Sequence, residues 1–115
     1  MDDCIFCKIA NHEIESNIIY EDDLVIAFED TNPQTPVHSL VIPKQHFVNV
    51  ADNVPSELLG HIISVAVKVA TLKGLDKTGY RLVTNVGEDG RQSVMHLHVH
   101  ILGGALMPTR MGPAD

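Results

Sequence analysis

Three histidines alternate with apolar residues in His96-Leu97-His98-Val99-His100-Ile101-Leu102, and this segment concentrates the chemistry of the chain. A period of two puts Met95, Leu97, Val99 and Ile101 on one face of an extended segment and the three imidazoles on the other. Neighbouring imidazoles would then stand about 6.6 Å apart. Imidazole titrates near neutral pH, so such a row can attack an electrophile, carry a proton or ligate a metal. Residue types alone leave two readings open. Three histidines can form a metal site, although no carboxylate that would steady such ligands lies close by in sequence. They can instead serve phosphoryl transfer, which calls for polar donors without formal charge. Ser93 precedes the segment and Asn85 ends the neighbouring run. Cys4 and Cys7, one helical turn apart, form either a pair of reduced thiols or half of a metal site.

The composition narrows the partners. Eight Lys plus Arg stand against fifteen acids, for a net charge of −7. No basic stripe is available for nucleic acid, so phosphate would have to be held by local donors in a compact site. No apolar run approaches the length of a membrane span. The start, Met1-Asp2-Asp3-Cys4, lacks a basic region followed by an apolar stretch, so the expected location is the cytoplasm. The 115 residues suit one domain over 1–115, with a core at about 4–106 and a tail over 107–115.

The elements that must position these residues follow from patterning. Asp3 is expected to cap a short helix over Cys4–Ala10. Asn17–Glu21 and Leu24–Glu29 read as strands around an acidic turn, and Val37–Ile42 as a third strand stopped by Pro43. Ser56 is expected to cap a long helix over Glu57–Lys73 that Gly74 ends. Its apolar positions cover an arc of roughly 220°, wider than a single small core uses. That width predicts either unusual burial or a second subunit. Tyr80–Val86 and Val94–Leu102 complete five strands. One long helix between runs of strands indicates an α+β domain with a mainly antiparallel sheet.

The segment His96 to Leu102 resembles the signature of the histidine triad (HIT) family. The other matching segments occur in the same order: Cys4-Ile5-Phe6-Cys7-Lys8-Ile9, Ala27-Phe28-Glu29-Asp30, Pro36-Val37-His38, Leu40-Val41-Ile42-Pro43-Lys44 and Gly90-Arg91-Gln92-Ser93-Val94. Leu102-Gly103-Gly104 is similar to the nucleotide-binding branch of that family. The resemblance implies a five-stranded antiparallel sheet with one long and one short helix, paired into a homodimer. It implies hydrolysis of purine nucleoside phosphoramidates of the AMP or GMP type, with no cofactor required for catalysis. His98 would be the nucleophile and form a nucleotidyl-histidine, and His100 would hydrogen-bond a phosphate oxygen. His38 and His96 would support the site, and Ser93 and Asn85 would contact phosphate or leaving group. Asp30 would hold the ribose, with Ile26 and Phe28 flanking the base. Some relatives bind structural zinc at positions that correspond to Cys4, Cys7, His46 and His96, which would make His96 structural.

Two departures bear on these roles. Arg91 stands where many relatives have glycine, and the tail 105–115 lacks a tryptophan that some relatives carry. Other superfamily activities, dinucleoside polyphosphate hydrolysis or nucleotidyl transfer, are the alternatives, as is a regulator that only binds nucleotide. His61 is expected on the solvated arc of the long helix, and His12 has no role in this reading.

Overall fold

The computed structural model describes residues 3–109. The first helix, α1 (Ile5–Ala10), has only six residues, and the Cys4 thiol caps it by accepting the Cys7 N–H at 3.3 Å. Asp3 does not take that role; the sulfur one residue later occupies the capping position. The helix buries Phe6, Ile9 and Ala10. Strands β1 (Ile18–Glu21) and β2 (Val25–Glu29) are joined by a turn that Asp22 closes. Its Oδ1 accepts from the Leu24 and Val25 amides at 2.8 and 2.9 Å.

Strand β3 (Val37–Pro43) pairs with β2 on one side and with β5 (Val99–Gly103) on the other. Strand β4 (Tyr80–Val83) lies outside β5, so the antiparallel sheet runs β1-β2-β3-β5-β4. The pleat divides its side chains between two clusters. Val25, Ala27, Val41, Val99 and Ile101 pack against α2 (Ser56–Leu72) through Ile62, Val65, Ala66, Val69 and Ala70. Ile26, Phe28, Leu40 and Ile42 point the other way, onto Phe6 and Ile9 of α1.

Several boundaries differ from the sequence expectation, and β3 runs through Pro43 instead of stopping before it. Pro55, not Ser56, is the N-cap of α2, and Ser56 falls inside the helix. Gly74 ends that helix as expected, with a left-handed φ of 78°. Strand pairing of the histidine segment begins at Val99, and β4 ends at Val83. The alternation nevertheless holds from Leu97 onward: Leu97 joins the α2 cluster, its amide donating to the Phe47 carbonyl at 2.7 Å. The Thr84 hydroxyl donates to the His98 carbonyl at 2.7 Å, so a side chain replaces the ladder there. Met95 leaves the pattern and is half exposed. Among the described residues no helix is long and apolar enough to cross a membrane.

Candidate active site and metal centre

The face of the sheet opposite α2 carries the histidines. His96, His98 and His100 are buried to within 3% of full burial, and His38 on β3 is 4% exposed beside them. Imidazoles this deep must each satisfy two ring nitrogens, and the partners assign the protons.

A backbone carbonyl only accepts, so the 2.7 Å contact between His98 Nδ1 and the His96 carbonyl places the proton of neutral His98 on Nδ1. Its Nε2 then carries the lone pair. The second chain starts at the Gln34 amide, which donates to His38 Nδ1 at 2.9 Å. His38 therefore holds its proton on Nε2 and donates it to His100 Nδ1 at 2.8 Å. This leaves the proton of neutral His100 on Nε2. The Asp30 carboxylate lies 3.4 Å from His38 Nε2, and its other oxygen accepts the Asn32 amide at 2.8 Å. Burial lowers the pKa of His38, although Asp30 and Glu29 pull in the opposite direction, so His38 is neutral at pH 7.

His98 and His100 open into a cleft of 290 Å³ with Phe6, Ile9, Phe28, Leu40 and Asp30 in its walls. The structure thus brings Phe28, Asp30, His98 and His100 to one cavity, with His38 behind His100. Ser93 lines an adjoining depression that shares Ile5 and Val94 with the cleft. Asn85 is half-buried two residues past β4 and lines neither cavity. Ile26 does not reach the cleft: it is fully buried opposite Ile42, because its neighbours on the pleat form the core beneath α1.

The expected metal ligands also converge. Cys4 Sγ and Cys7 Sγ lie 3.3 and 3.4 Å from His96 Nδ1, and Cys7 Sγ lies 3.2 Å from His46 Nδ1. The two histidine Nδ1 atoms are 3.2 Å apart. A tetrahedral zinc with bonds of about 2.0 Å to nitrogen and 2.3 Å to sulfur has N···N edges of about 3.3 Å and N···S edges of about 3.5 Å. His96 Nε2 donates to the Pro43 carbonyl at 2.9 Å, which turns the Nδ1 lone pair toward the sulfurs and steadies the ring. Burial, opposed by that carbonyl, lowers the His96 pKa to about 4, so the ring is neutral, as a ligand must be. Burial and the neighbouring Cys4 thiol push Cys7 up to about 11. The donor set therefore fits a zinc ion.

Several residues matter that sequence reasoning gave no role. Phe6 sits between the two cysteines and sets its ring edge-on to His98, His96 and Phe28, with centroids 5.1, 6.0 and 5.7 Å away. Gln92 is buried and joins two loops: its amide nitrogen donates to the Val48 and Val94 carbonyls, and its oxygen accepts from Gly87 N–H and Asn49. Only its place in the motif marked it. His61 is not simply solvated: its Nε2 meets Asp22 Oδ2 at 2.7 Å and ties α2 to the β1–β2 turn. His12 meets Glu21 at 2.7 Å, and Glu21 also pairs with Lys44. Arg91 has a left-handed φ of 63°, a conformation that favours glycine. Residues 110–115, most of the expected tail, lie outside the described residues.

Comparison with known proteins agrees with this geometry. A model of the HIT domain matches residues 11–107. The purine nucleoside phosphoramidase of Escherichia coli strain K12 is 45% identical over 105 residues, which span 90% of this chain and 88% of that protein. The crystal structure of a HIT family hydrolase from Legionella pneumophila superposes with a TM-score of 0.91 at 46% identity, covering 96% of this chain and 100% of that one. A histidine triad protein from Clostridium difficile superposes with a TM-score of 0.90 at 49% identity, over 96% of this chain and 98% of its own. With its three alternating histidines in a segment that runs into β5 of a five-stranded antiparallel sheet, the chain belongs to the HIT domain family.

Proposed function

We propose that this chain is a nucleotide hydrolase that cleaves the P–N bond of purine nucleoside phosphoramidates through a nucleotidyl-His98 intermediate. The observation that carries the reading is the opposed proton placement on two neighbouring imidazoles. His98 offers a lone pair at Nε2 and His100 a proton at Nε2, both at one cleft. The name of the E. coli relative supports the substrate class.

In this scheme His98 Nε2 attacks the α-phosphorus and forms a P–N bond while the bond to the substrate amine breaks. The leaving nitrogen takes a proton from solvent water as the bond breaks and departs as the neutral amine. The His96 carbonyl holds the Nδ1 proton and favours the cation that develops on the ring. His100 Nε2–H donates to a nonbridging oxygen, where charge builds up. His38 positions His100 and does not touch the substrate. Water then cleaves the phosphohistidine and releases the nucleoside monophosphate. Asp30 is assigned to the ribose, Phe28 to the base, and Ser93 and Asn85 to the phosphate and leaving-group side. The proposed site of action is the cytoplasm.

Two further parts belong to the proposal. Zinc at Cys4, Cys7, His46 and His96 would supply a structural link between α1 and the histidine segment, with no step of the reaction at the metal. A homodimer would cover the outward side of α2, where Ile63, Val67 and Leu72 are 45, 43 and 59% exposed, and the free edge of β4.

The test is steady-state turnover of adenosine and guanosine phosphoramidates beside diadenosine polyphosphates. The phosphoramidates should be the better substrates. His98→Ala should lower turnover by about four orders of magnitude and leave monophosphate binding largely intact. Near-normal turnover by that variant would remove His98 as nucleophile. Preference for the polyphosphates would move the enzyme to another activity of the superfamily.

A further inference from the structure

Three carboxylates line the cleft: Glu15, Glu29 and Asp30. Two are committed. Glu29 accepts from the Ser39 hydroxyl and from Lys73, each at 2.7 Å. Asp30 accepts the Asn32 amide and faces His38. Glu15 makes no hydrogen bond or ion pair with any described residue. It stands where the cleft meets a second, open groove, and Glu15, Ile14, Ser16 and Thr31 line both.

The lining of the cleft is of two kinds. His98, His100 and Asp30 supply its polar groups. Phe6, Ile9, Ile14, Phe28 and Leu40 offer apolar and aromatic surface suited to the faces of a base. A flat base held on such surfaces still presents a polar edge, and Glu15 is the anion at the rim that could meet it. A carboxylate only accepts. Guanine presents two adjacent donors, N1–H and the N2 amino group, which match the two carboxylate oxygens. Adenine presents one amino donor beside the N1 lone pair, and that lone pair repels a carboxylate. Hypoxanthine presents N1–H alone.

We infer that Glu15 is the specificity-determining residue of the cleft and selects guanine over hypoxanthine and adenine nucleotides. The inference rests on the nucleotide reading of the cleft proposed above and adds the base. A matched bidentate contact at an open rim discriminates by about tenfold, equivalent to about 1.4 kcal/mol.

The test titrates the full-length protein with 5′-GMP, 5′-IMP and 5′-AMP by calorimetry. GMP should bind about tenfold more tightly than AMP, with IMP between them. Glu15→Gln should do more than weaken GMP. Its amide can turn a donor toward adenine N1 and an acceptor toward the adenine amino group, so AMP should gain and the ratio should fall to one or below. Glu13→Gln removes an exposed charge from the same segment but lines neither cavity, and it should leave the ratio unchanged. In turnover, the Glu15 effect should appear in KM for the guanosine substrate and leave kcat alone. A GMP to AMP ratio within twofold in the native protein, or one unmoved by Glu15→Gln, would overturn the assignment while the nucleotide reading stands. Failure of all three monophosphates to bind would overturn both.

Discussion

The two faces of the sheet are held by different physics. On one, the seventeen residues of α2 lie on Val25, Ala27, Val41, Val99 and Ile101, and burial of apolar area does nearly all of the work. On the other, α1 has six residues, far short of the length at which a helix is stable alone. It is held by what its side chains meet across the chain: Cys4 and Cys7 at His46 and His96, and Phe6 edge-on to His98. An apolar surface accepts many packings of about the right volume. A buried imidazole accepts few, because each ring nitrogen needs a partner of the right kind. The α2 face therefore sets the fold, and the α1 face sets the positions of atoms within it.

This difference predicts where single changes hurt most. Cys4→Ser with Cys7→Ser should have the largest effect on stability, because the changes remove both sulfurs of the proposed zinc site, while a serine hydroxyl can still cap α1. Metal analysis should give close to one zinc per chain for the native protein and none for the variant. The metal should also be lost at low pH, as protons compete for sulfur and imidazole. The melting temperature should fall by on the order of 10 °C, since each kcal/mol shifts a domain of this size by about 4–8 °C. Part of the turnover should survive, because His98 and its carbonyl partner remain. Unchanged stability in metal-free protein would make the cysteines ordinary thiols. Complete dependence of the chemical step on zinc would move the histidines to a metal-hydrolase scheme.

The outward side of α2 gives the next effect. Val67 is 43% exposed and one turn from Ile63, so a charge there costs a lone subunit little. Native protein at micromolar concentration should sediment at about 25 kDa, twice the chain's 12.6 kDa. Val67→Glu should sediment as the monomer with its helix content intact. A native monomer would mean that α2 leaves this apolar side in water.

The same contrast decides what could be read from the sequence. Apolar periodicity reports area, so α2, the five strands and the sidedness of Leu97, Val99 and Ile101 were legible. The edges were not. Pro55 rather than Ser56 caps α2, and Thr84 ends β4 early by bonding the His98 carbonyl through its side chain. The triad came from residue type and spacing together with resemblance, and the set Cys4, Cys7, His46 and His96, whose side chains converge, came from the resemblance. The proton placement on His98 and His100 was not legible. It depends on the His96 carbonyl and the Gln34 amide, and backbone groups leave no mark on residue identity. The depth of Ile26 was not legible either: two residues from Phe28 and on the same side of the pleat, it lies fully buried beneath α1.

The smallest effect lies in the loop that joins the two regions. Gly87 to Gln92 closes as a turn, with Arg91 N–H on the Glu88 carbonyl and Gln92 N–H on the Gly87 carbonyl at 2.9 and 3.0 Å. A side chain at Gly90 would come within 2.5 Å of the Val86 carbonyl, so the turn cannot relax on that side. The buried Gln92 fixes the other side through both Val48 and Val94. Arg91, between them, is forced to φ 63°. A left-handed conformation costs a residue with a side chain roughly 1–2 kcal/mol, and glycine escapes that cost while gaining freedom in the unfolded chain. Arg91→Gly should therefore stabilise the protein by about 1 kcal/mol, the lower end of that range. The exposed guanidinium does not line the cleft, so KM for the phosphoramidate should stay within about twofold, as for a surface change away from the site. Thermal unfolding and steady-state kinetics on the same preparation separate the two effects. A several-fold rise in KM would show that the cation helps hold phosphate. In that case the strain at Arg91 would belong to the site, as backbone strain at functional positions often does.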